Sequence, residues 1–399
     1  MIKIISVNAG SSSLKFQLFK MPEEEVLTSG SFERIGFEDA IFTIKVNGNK
    51  VEKKLPLENH SSAVEILLKA LIEYKVVDDL SEIKGAGHRV VHGGENFSDS
   101  AIVDKDVVSK VEELADLAPL HNPAALVGYN AFKRELPNCK HTMVFDTAFH
   151  QSIKEDSYLY PLPKSFYRDY KIRKYGFHGT SHRYVANRYA EIIKKDIKDL
   201  KIITCHLGAG ASICAIDKGK SINTSMGFTP LGGIMMATRC GDIDPAIVPF
   251  LMKKTNMTPD EIDTVLNKKS GILGVSEISS DGRDINDAID SNNDANALLT
   301  HDVYTTKAIN FIGGYFVQLG GLDAIIFTGG SGENDRRLRA KICMKLKSAL
   351  KVEIDDEINQ SIMSKEAKIS TKNSNIDVWV VPTNEELVIA RDTYRLLGE

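Results

Sequence analysis

Two copies of a strand, a glycine-containing turn and a second strand lie about 200 residues apart in this sequence. The first copy runs through Ile2–Phe19 and turns at Asn8–Ser13, and the second runs through Ile202–Ile216 and turns at Gly208–Gly210. A turn without bulky side chains lets backbone N–H groups approach an anion closely. Either turn alone is typical of an ordinary β-hairpin. The repeat predicts two duplicated α/β domains whose turns face one polyphosphate in a central cleft.

The rest of the chain alternates strand-like and helix-like segments. Asn47–Gly48 is a hairpin signal between two short strand-like runs. Apolar residues at three- and four-residue spacing predict helices, among them Ser61–Val76, Lys105–Leu117 and Asn334–Leu350. Thr258–Glu261 combines a cap residue, a proline and a glutamate in the pattern of a helix start. Because a domain averages roughly 150 residues, a chain of 399 residues predicts two or three domains.

The charge balance argues against nucleic acid and against an anionic membrane surface as partners. The 50 Lys and Arg residues face 54 Asp and Glu residues, which leaves a net charge of -4 with no block of like charge. No segment approaches the roughly 20 apolar residues of a membrane span, and the glycine at position 10 comes too early for a signal peptide. The five cysteines are scattered and lack C-x-x-C spacing, so disulfides are not expected. We expect a cytoplasmic protein that acts on small molecules.

A third glycine turn, Phe327–Asn334, follows a buried strand-like run and opens a helix. Its backbone amides would lie at the positive end of that helix, which suits a nucleotide phosphate or ribose. None of the three turns has the G-x-x-x-x-G-K-[ST] spacing of a P-loop. The sequence therefore predicts a nucleotide site of a different kind.

Four short segments of the remaining sequence are dense in polar residues: Gly87–Glu95, Phe145–His150, Tyr175–His182 and Thr238–Pro245. Together with the duplicated turns they closely resemble the acetokinase family, within the superfamily of acetate and sugar kinases, Hsp70 and actin. The resemblance extends from the first strand to Pro382–Leu387. It implies an α/β fold of duplicated ribonuclease H-like (actin-like ATPase) domains.

The resemblance implies reversible, direct in-line transfer of the γ-phosphoryl group of ATP to acetate, which gives acetyl phosphate and ADP. The pKa of acetic acid is like that of a Glu side chain, about 4.3, so acetate is ionised at pH 7 and its oxygen needs no general base. Catalysis would then depend on positioning and on stabilising the charge of the transferring phosphoryl group.

Arg89 and Arg239 match the family's catalytic arginines, and a guanidinium fork fits both a carboxylate and a planar phosphoryl group. His178 matches the histidine that stabilises the transition state. Asp146 matches the catalytic aspartate, for which we favour orientation of arginine or metal over proton transfer. His121 matches a supporting histidine of the substrate site, although an isolated histidine is more often structural.

The resemblance places Mg²⁺, with Mn²⁺ as an alternative, at Asn8 and Glu385, and oxygen ligands are those that such a cation prefers. Lys15 resembles a nucleotide-contacting lysine, although an exposed strand lysine is equally typical of a solvated surface. For Asp281, an ordinary loop turn is the alternative. The full nucleotide set implied by the resemblance is Ser11, Ser13, Lys15, His206, Leu207, Gly208, Ala209, Gly210, Asp281, Gly282, Arg283, Gly330, Ser331, Gly332, Glu333 and Asn334.

The family's acyl pocket corresponds to Val91, Leu120, Phe177 and Pro230, together with Arg89 and His121. Such apolar residues would otherwise be assigned to the core. His88 and His92 have the H-x-x-x-H spacing of a helical zinc pair, but the sequence around them favours an extended segment, so we expect no zinc site.

Three stretches depart from the family pattern. Ala209 replaces an asparagine in the second turn, Gly232 and Ala237 replace a glutamate and a glycine before Arg239, and Ser331 replaces an apolar residue beside the adenine. We interpret these changes as altered nucleotide affinity or preference. Two alternatives remain: a propionate or other short-chain acyl kinase, and a nucleotide-binding regulator with weak activity.

The resemblance also implies a domain division and an assembly. We expect an N-terminal domain over residues 1–150, to which a last helix of about 384–399 returns. The C-terminal domain would span 151–383 and carry most of the nucleotide site, and the protein would be a homodimer.

Overall fold

The computed structural model describes residues 2–119 and 121–398. Within this part of the chain, the fold divides into two compact units. Unit 1 comprises Met1–Gln151 and Asn384–Glu399, and unit 2 comprises Ser152–Thr383. Unit 1 is therefore discontinuous in sequence, whereas unit 2 is one continuous segment.

Each unit is built on one β-sheet. The strands of unit 1 are β1 (Ile2–Ala9), β2 (Ser13–Met21), β3 (Glu25–Glu33), β4 (Ala40–Val46), β5 (Asn49–Leu55), β6 (Ile83–Val90), β7 (Ala101–Ile102) and β8 (Lys140–Phe145). The strands of unit 2 are β9 (Lys201–Leu207), β10 (Ala211–Asp217), β11 (Lys220–Thr224), β12 (Ala324–Thr328), β13 (Ala367–Lys368) and β14 (Asp377–Val380).

The two sheets repeat one topology. Unit 1 has the order β5-β4-β3-β2-β1-β6-β8-β7, and unit 2 has the order β11-β10-β9-β12-β14-β13. In each sheet an antiparallel hairpin, β1–β2 or β9–β10, is followed outward by a pair of parallel neighbours, β6 and β8 or β12 and β14. At the end of each series a short strand, β7 or β13, pairs antiparallel with the last parallel strand. This correspondence confirms the duplicated α/β fold predicted from the repeated turns.

The helices lie between and after these strands. They are α1 (His60–Glu73), α2 (Lys105–Glu113), α3 (Asn122–Glu135), α4 (Glu155–Tyr158), α5 (Lys164–Tyr170), α6 (Gly179–Ile193), α7 (Ile247–Thr255), α8 (Pro259–Lys268), α9 (Gly271–Ser276), α10 (Gly282–Asn292), α11 (Ala295–Leu319), α12 (Gly329–Asn334), α13 (Arg336–Leu350), α14 (Asp356–Ser361) and α15 (Glu385–Leu397). Among the helices described, none has the length and apolar composition that a membrane crossing requires.

Several helix boundaries differ from the sequence prediction for identifiable reasons. Helix α1 ends three residues early, and Lys75 just beyond it has a left-handed φ of 55°. The predicted helix over Asn334–Leu350 begins only at Arg336, because Asp335 caps it and its carboxylate accepts a hydrogen bond from Leu338 N at 2.9 Å. At Thr258 the predicted capping box is present. Local cap chemistry explains these boundaries better than apolar spacing does.

Helix α15 completes unit 1 and packs against the centre of its sheet. Ser100 Oγ donates to Asp392 Oδ2 at 2.6 Å, and the hydroxyls of Thr142 and Thr393 are 2.6 Å apart. Gly87 on β6 allows this close approach, because a Cβ at that position would lie 2.4 Å from Ile389 Cγ2. The helix therefore fixes its first residue, Glu385, near the end of β6.

A fully buried arginine ties α13 to the third glycine turn within unit 2. The Arg339 guanidinium donates to Gly332 O at 3.1 Å, to Asn359 Oδ1 at 2.8 Å and to Asn359 O at 3.0 Å. It also donates to Ile362 O at 3.1 Å. One side chain thus satisfies four surrounding oxygens, three of which are backbone carbonyls.

We expect Arg339→Ala to lower the stability of unit 2 by about 3 kcal/mol, because it leaves several buried acceptors without a donor. The single tryptophan, Trp379 on β14, reports on this unit, so urea unfolding followed by its fluorescence measures the change. Arg336→Ala is the matched control, because Arg336 is exposed on the same helix. We expect it to change stability by less than about 0.5 kcal/mol. Equal losses in the two variants would contradict this interpretation.

Candidate functional site

Arg89 and Asp146 form a bidentate ion pair in unit 1. Arg89 lies near the end of β6 and Asp146 directly follows β8, and these two strands are parallel neighbours. The Arg89 Nε donates to Asp146 Oδ1 at 2.9 Å, and its Nη2 donates to Oδ2 at 2.6 Å. Asp146 is 1% exposed, whereas the Arg89 side chain is 21% exposed. The pair therefore presents a fixed guanidinium whose partner carboxylate is buried.

The pKa values of Arg89 and Asp146 depend on burial, on the attraction between the two groups and on a second carboxylate. Burial raises the pKa of Asp146 from its ordinary value, and the Arg89 charge opposes that shift. Although burial alone lowers the pKa of Arg89, the charges of Asp146 and Glu385 raise it above its ordinary value. Glu385 Oε2 lies 3.9 Å from Arg89 Nε. The guanidinium is therefore positively charged at every physiological pH.

The loop after β6 is held by polar contacts that the sequence prediction missed. The fully buried Asn122 accepts from His92 N at 3.1 Å and donates to His92 O at 2.9 Å. Gly93 N donates to Thr147 Oγ1 at 2.9 Å, and Gly94 N donates to His92 Nδ1 at 3.0 Å. Burial lowers the pKa of His92 to about 4, so its ring is neutral at pH 7. The only sequence signal for Asn122 was its place at the start of an amphipathic helix.

The other residues assigned to the acyl pocket lie in different surroundings. Val91 directly follows β6 and is half-buried. His121 is exposed and takes the N-cap position of α3. In unit 2, Phe177 is 2% exposed and Pro230 is half-buried. The fifth member of the set, Leu120, lies outside the described residues.

The first glycine turn is closed by its own backbone and supported from α1. Gly10 N donates to Ser13 O at 2.8 Å, and His60 Nε2 lies 2.8 Å from Gly10 O. Asn8 and Lys15 face each other in the register of the β1–β2 hairpin. The exposed Ser11 lies at the tip of this turn. His60 had no sequence signal, because it is the first residue of an otherwise ordinary amphipathic helix.

In unit 2, the residues around His178 form a buried polar cluster. His178 Nδ1 lies 2.9 Å from Ser212 Oγ, which lies 2.7 Å from His182 Nε2. The His178 ring also stacks on His206, with centroids 4.2 Å apart and an interplanar angle of 26°. His206 Nδ1 is 2.7 Å from Ser181 Oγ. A hydrogen bond at Nδ1 and the stacked ring of His206 therefore both orient the ring of His178.

Arg239 and His178 border the same position in the second glycine turn. A Cβ built on Gly210 would lie 3.4 Å from Arg239 Nη1 and 3.5 Å from His178 Nε2. The absence of a side chain therefore leaves space between a guanidinium and an imidazole. The Arg239 Nη1 also donates to Pro230 O at 3.4 Å, and burial lowers the pKa of Arg239 from its ordinary value.

Two positions that depart from the family pattern contact each other. Ala237 N donates to Ala209 O at 3.2 Å, and Gly208 N donates to Gly210 O at 3.1 Å. The Ala209 side chain is exposed. The turn is thus held through its backbone, with the side chain of Ala209 on its surface.

The third glycine turn is held by an acidic residue of its own helix. Glu333 Oε1 accepts from Gly329 N at 3.0 Å and from Thr383 N at 3.2 Å. Asn334 Nδ2 donates to Gly330 O at 3.0 Å. Two of the predicted nucleotide residues, Glu333 and Asn334, therefore stabilise the turn from within.

A pocket in unit 2 joins residues from three separate parts of the predicted nucleotide set. Gly208, Gly282 and Ser331 line it. The sequence prediction missed the remaining lining residues, of which three come from the long helix α11 and read as core by their spacing. These additional residues are Ile272, Ile285, Thr300, His301, Tyr304, Asp335 and Leu338.

Asp281 begins α10 beside this pocket. Its carboxylate caps the helix by accepting from Arg283 N at 2.9 Å, and it pairs with the exposed Arg283 guanidinium. The Arg283 hydrogen bond lowers the pKa of Asp281 to about 2. This aspartate therefore has a structural role as the N-cap of α10.

Within the described residues, no group of three or more His, Cys, Asp and Glu side chains is arranged to bind a metal ion. His88 lies on strand β6, and its Nε2 is 3.1 Å from His141 Nδ1. His88 and His92 therefore do not share a helical face.

Comparison with known proteins gives consistent matches over the whole chain. The model of the acetokinase family matches residues 3–391. The acetate kinase of Geobacillus kaustophilus is 54% identical over 396 residues, which is 99% of each chain. The crystal structure of Porphyromonas gingivalis acetate kinase is similar, with a TM-score of 0.95 and 42% identity over 100% of both chains. A propionate kinase from Francisella tularensis has a TM-score of 0.93 and 37% identity over 99% of this chain and 100% of that chain. On these grounds the chain belongs to the acetokinase family.

Proposed function

We propose that this protein transfers the γ-phosphoryl group of ATP to acetate, reversibly and by direct in-line displacement, to give acetyl phosphate and ADP. The observation that carries the proposal is the convergence of Arg239 and His178 on Gly210 in the second glycine turn. A cationic side chain and an imidazole beside a turn that lacks a side chain at Gly210 suit a transferring phosphoryl group, whose charge spreads over its oxygens.

The acceptor requires no general base in this reaction. A carboxylate with a pKa of about 4.3 is already ionised at pH 7, so the protein has to position it and reduce its repulsion from the phosphates. Arg89 suits this task because Asp146 holds its guanidinium in one orientation through two hydrogen bonds. We infer that Asp146 acts by orienting Arg89, since both of its oxygens are already engaged.

Mg²⁺ fits the oxygen ligands that Asn8 and Glu385 offer, and Mn²⁺ would use the same donors. Asn8 is near the end of β1, and Glu385 is the first residue of α15. The ion would neutralise charge on the nucleotide phosphates. Ser11, Ser13 and Lys15 would contact the nucleotide from the first hairpin.

The nucleotide would bind largely within unit 2. The second and third glycine turns would lie beside its phosphates, and the pocket lined by Ser331, Ile285 and Tyr304 combines apolar and polar residues, as a site for a purine would. Arg283 and Asp281 lie at the start of α10, where they would contact the exposed edge of the bound nucleotide.

Propionate is the second candidate acceptor, because the similar Francisella tularensis protein is described as a propionate kinase. Val91, Leu120, Phe177 and Pro230 are the proposed contacts of the acyl chain, and His121 is the proposed supporting residue. A regulator with weak activity is disfavoured, since such a protein has no need for Arg89, Asp146, His178 and Arg239 together.

We also propose a cytoplasmic homodimer. The five cysteines are free thiols, as expected in a reducing compartment. Unit 2 exposes large apolar side chains on α5 and α7, including Tyr170 at 66% and Phe250 at 58%. A second copy of the chain is the occupant that the family resemblance suggests for this apolar surface.

The proposed reaction is tested by a hydroxamate assay for acyl phosphate. The purified protein is incubated with Mg²⁺, one of acetate, propionate or butyrate, and one of ATP, GTP or pyrophosphate. We expect acetyl hydroxamate with ATP as the best combination. Failure to form acyl phosphate from any carboxylate would contradict the proposal.

Loss of either arginine should lower kcat strongly while the fold is retained. Arg89→Ala and Arg239→Ala each remove a preorganised cation, which typically costs about 2.7–4 kcal/mol, or on the order of 10²- to 10³-fold in rate. Steady-state kinetics measure the effect, with thermal melting as the folding control. Arg134→Ala and Arg168→Ala are matched surface controls, one in each unit, and should keep wild-type rates. A folded Arg89→Ala or Arg239→Ala protein with near wild-type kcat would remove that arginine from the mechanism.

Shortening Val91 should weaken the preference for acetate. One methylene in an apolar pocket usually changes discrimination by about 1–3 kcal/mol, so Val91→Ala should narrow the ratio of kcat/KM values for acetate and propionate. Val127→Ala, which alters an exposed valine of α3, should leave the ratio unchanged. An equal or larger preference for acetate in Val91→Ala would argue against Val91 as an acyl contact.

Restoring the family's asparagine should improve the use of ATP. Ala209→Asn adds an amide donor at an exposed position, and a hydrogen bond to a charged partner contributes about 1.5–3 kcal/mol. We expect a lower KM for ATP or a higher kcat, because the turn geometry rests on backbone contacts that the substitution leaves in place. Ala246→Asn changes another exposed alanine of unit 2 and should have no effect. Unchanged or lower kcat/KM for ATP in folded Ala209→Asn would mean that the missing amide is not limiting.

A further inference from the structure

Four polar side chains of unit 2 form a continuous chain that ends at His178. Thr204 Oγ1 on β9 lies 2.7 Å from His182 Nδ1, and His182 Nε2 lies 2.7 Å from Ser212 Oγ on β10. Ser212 Oγ in turn lies 2.9 Å from His178 Nδ1. Thr204, His182 and Ser212 are all 0% exposed. Because they are buried away from solvent, these groups depend on one another for hydrogen bonds.

The proton position on one histidine ring depends on that on the other, because both rings contact the same serine hydroxyl. A serine hydroxyl has a single proton, and a neutral imidazole has one donor nitrogen and one acceptor nitrogen. Ser212 can therefore donate to at most one of the two rings, and it accepts from any ring to which it does not donate. If it donates to His178 Nδ1, it accepts from His182 Nε2, and the acceptor His182 Nδ1 receives the Thr204 hydroxyl proton. In that arrangement the proton of His178 is on Nε2.

The opposite nitrogen of His178 faces the candidate phosphoryl site. Nε2 lies 3.5 Å from the position that a Cβ on Gly210 would take, whereas Nδ1 faces Ser212. An anion at this turn is attracted to an N–H group and repelled by a nitrogen lone pair. The arrangement of hydrogen bonds that leaves the proton of His178 on Nε2 is therefore the one that suits phosphoryl transfer.

The backbone and a neighbouring ring restrict His178 further. His178 has a left-handed φ of 56° at the N-terminus of α6, a conformation that is uncommon for residues other than glycine. Its ring stacks on His206, whose Nδ1 contacts Ser181. With the ring plane fixed, the contact at Nδ1 determines which nitrogen is the donor toward the turn.

We propose that Ser212 is a positioning residue that keeps His178 in the tautomer with its proton on Nε2, so that this N–H points at the transferring phosphoryl group. His182 and Thr204 determine the direction of the Ser212 hydroxyl. The proposal rests on the proposed phosphoryl transfer for its catalytic consequence, but the tautomer itself is a property of the protein alone. A donor that is already oriented stabilises the developing charge without reorganisation during the reaction.

The tautomer is measured directly by NMR of protein with ¹⁵N-labelled histidine, without any substrate. The His178 signals are assigned by their loss in His178→Gln. In the wild-type protein we expect the Nε2–H form, and in Ser212→Ala we expect a mixture of both tautomers. An Nδ1–H form of His178 in the wild type would overturn the proposal, and so would an unchanged Nε2–H form in Ser212→Ala.

Kinetics test the consequence for the reaction. In Ser212→Ala we expect kcat for acetyl phosphate formation to fall on the order of tenfold, with KM for acetate and ATP changed by less than about threefold, because the lost contribution belongs to the transition state. Ser212→Thr keeps the hydroxyl and should restore most of the rate.

The matched control is Ser221→Ala, a fully buried serine of the same sheet whose Oγ lies 3.3 Å from Cys214 Sγ. The Tm of Ser221→Ala should equal that of Ser212→Ala or be slightly higher, and its kcat should equal that of the wild type. A wild-type kcat in Ser212→Ala, or equal kcat losses in Ser212→Ala and Ser221→Ala, would overturn the positioning role. If the wild-type protein forms no acyl phosphate, the proposed reaction fails while the NMR result still decides the tautomer.

Discussion

In both units, the parallel pairing of the central strands determines where the chemically important side chains lie. Parallel strands present their carboxyl ends at one edge of a sheet, and side chains that follow neighbouring strands therefore meet there. Arg89 and Asp146 meet because β6 and β8 are parallel neighbours. The second and third glycine turns line one pocket because β9 and β12 are parallel neighbours as well. The bidentate pair in unit 1 and the pocket in unit 2 both depend on this single feature of the sheets.

The two units contribute different kinds of polar group. Unit 1 holds a charged pair in which the carboxylate is buried and the guanidinium is partly exposed. Around His178, unit 2 holds hydroxyls and imidazoles, with the guanidinium of Arg239 beside them. A fixed charge suits an anionic substrate that has to be oriented, whereas hydroxyls and imidazoles suit a site where the direction of a proton matters.

Much of the fold could be predicted from the sequence, because the repeated turn was visible in residue types alone. Arg89, Asp146, His178 and Arg239 lie in segments that the motifs marked. The sequence did not reveal His60, Asn122 or Ser212, since each resembles an ordinary helix or strand residue until its partner, far away in sequence, is known. Helix ends were misplaced for a related reason, as at Asp335, where one hydrogen bond of the cap outweighs apolar spacing.

The returning helix α15 has a consequence for how the protein is made. The strands of unit 1 leave the ribosome before those of unit 2, yet their sheet receives α15 only after the 232 residues of Ser152–Thr383 have been translated. Until then α15 does not cover the small residues of β6 against which it packs, such as Gly87. Unit 2 is continuous, so all of its strands are available while unit 1 still waits for its last element. The nascent chain therefore keeps one face of an early sheet partly uncovered while unit 2 is synthesised.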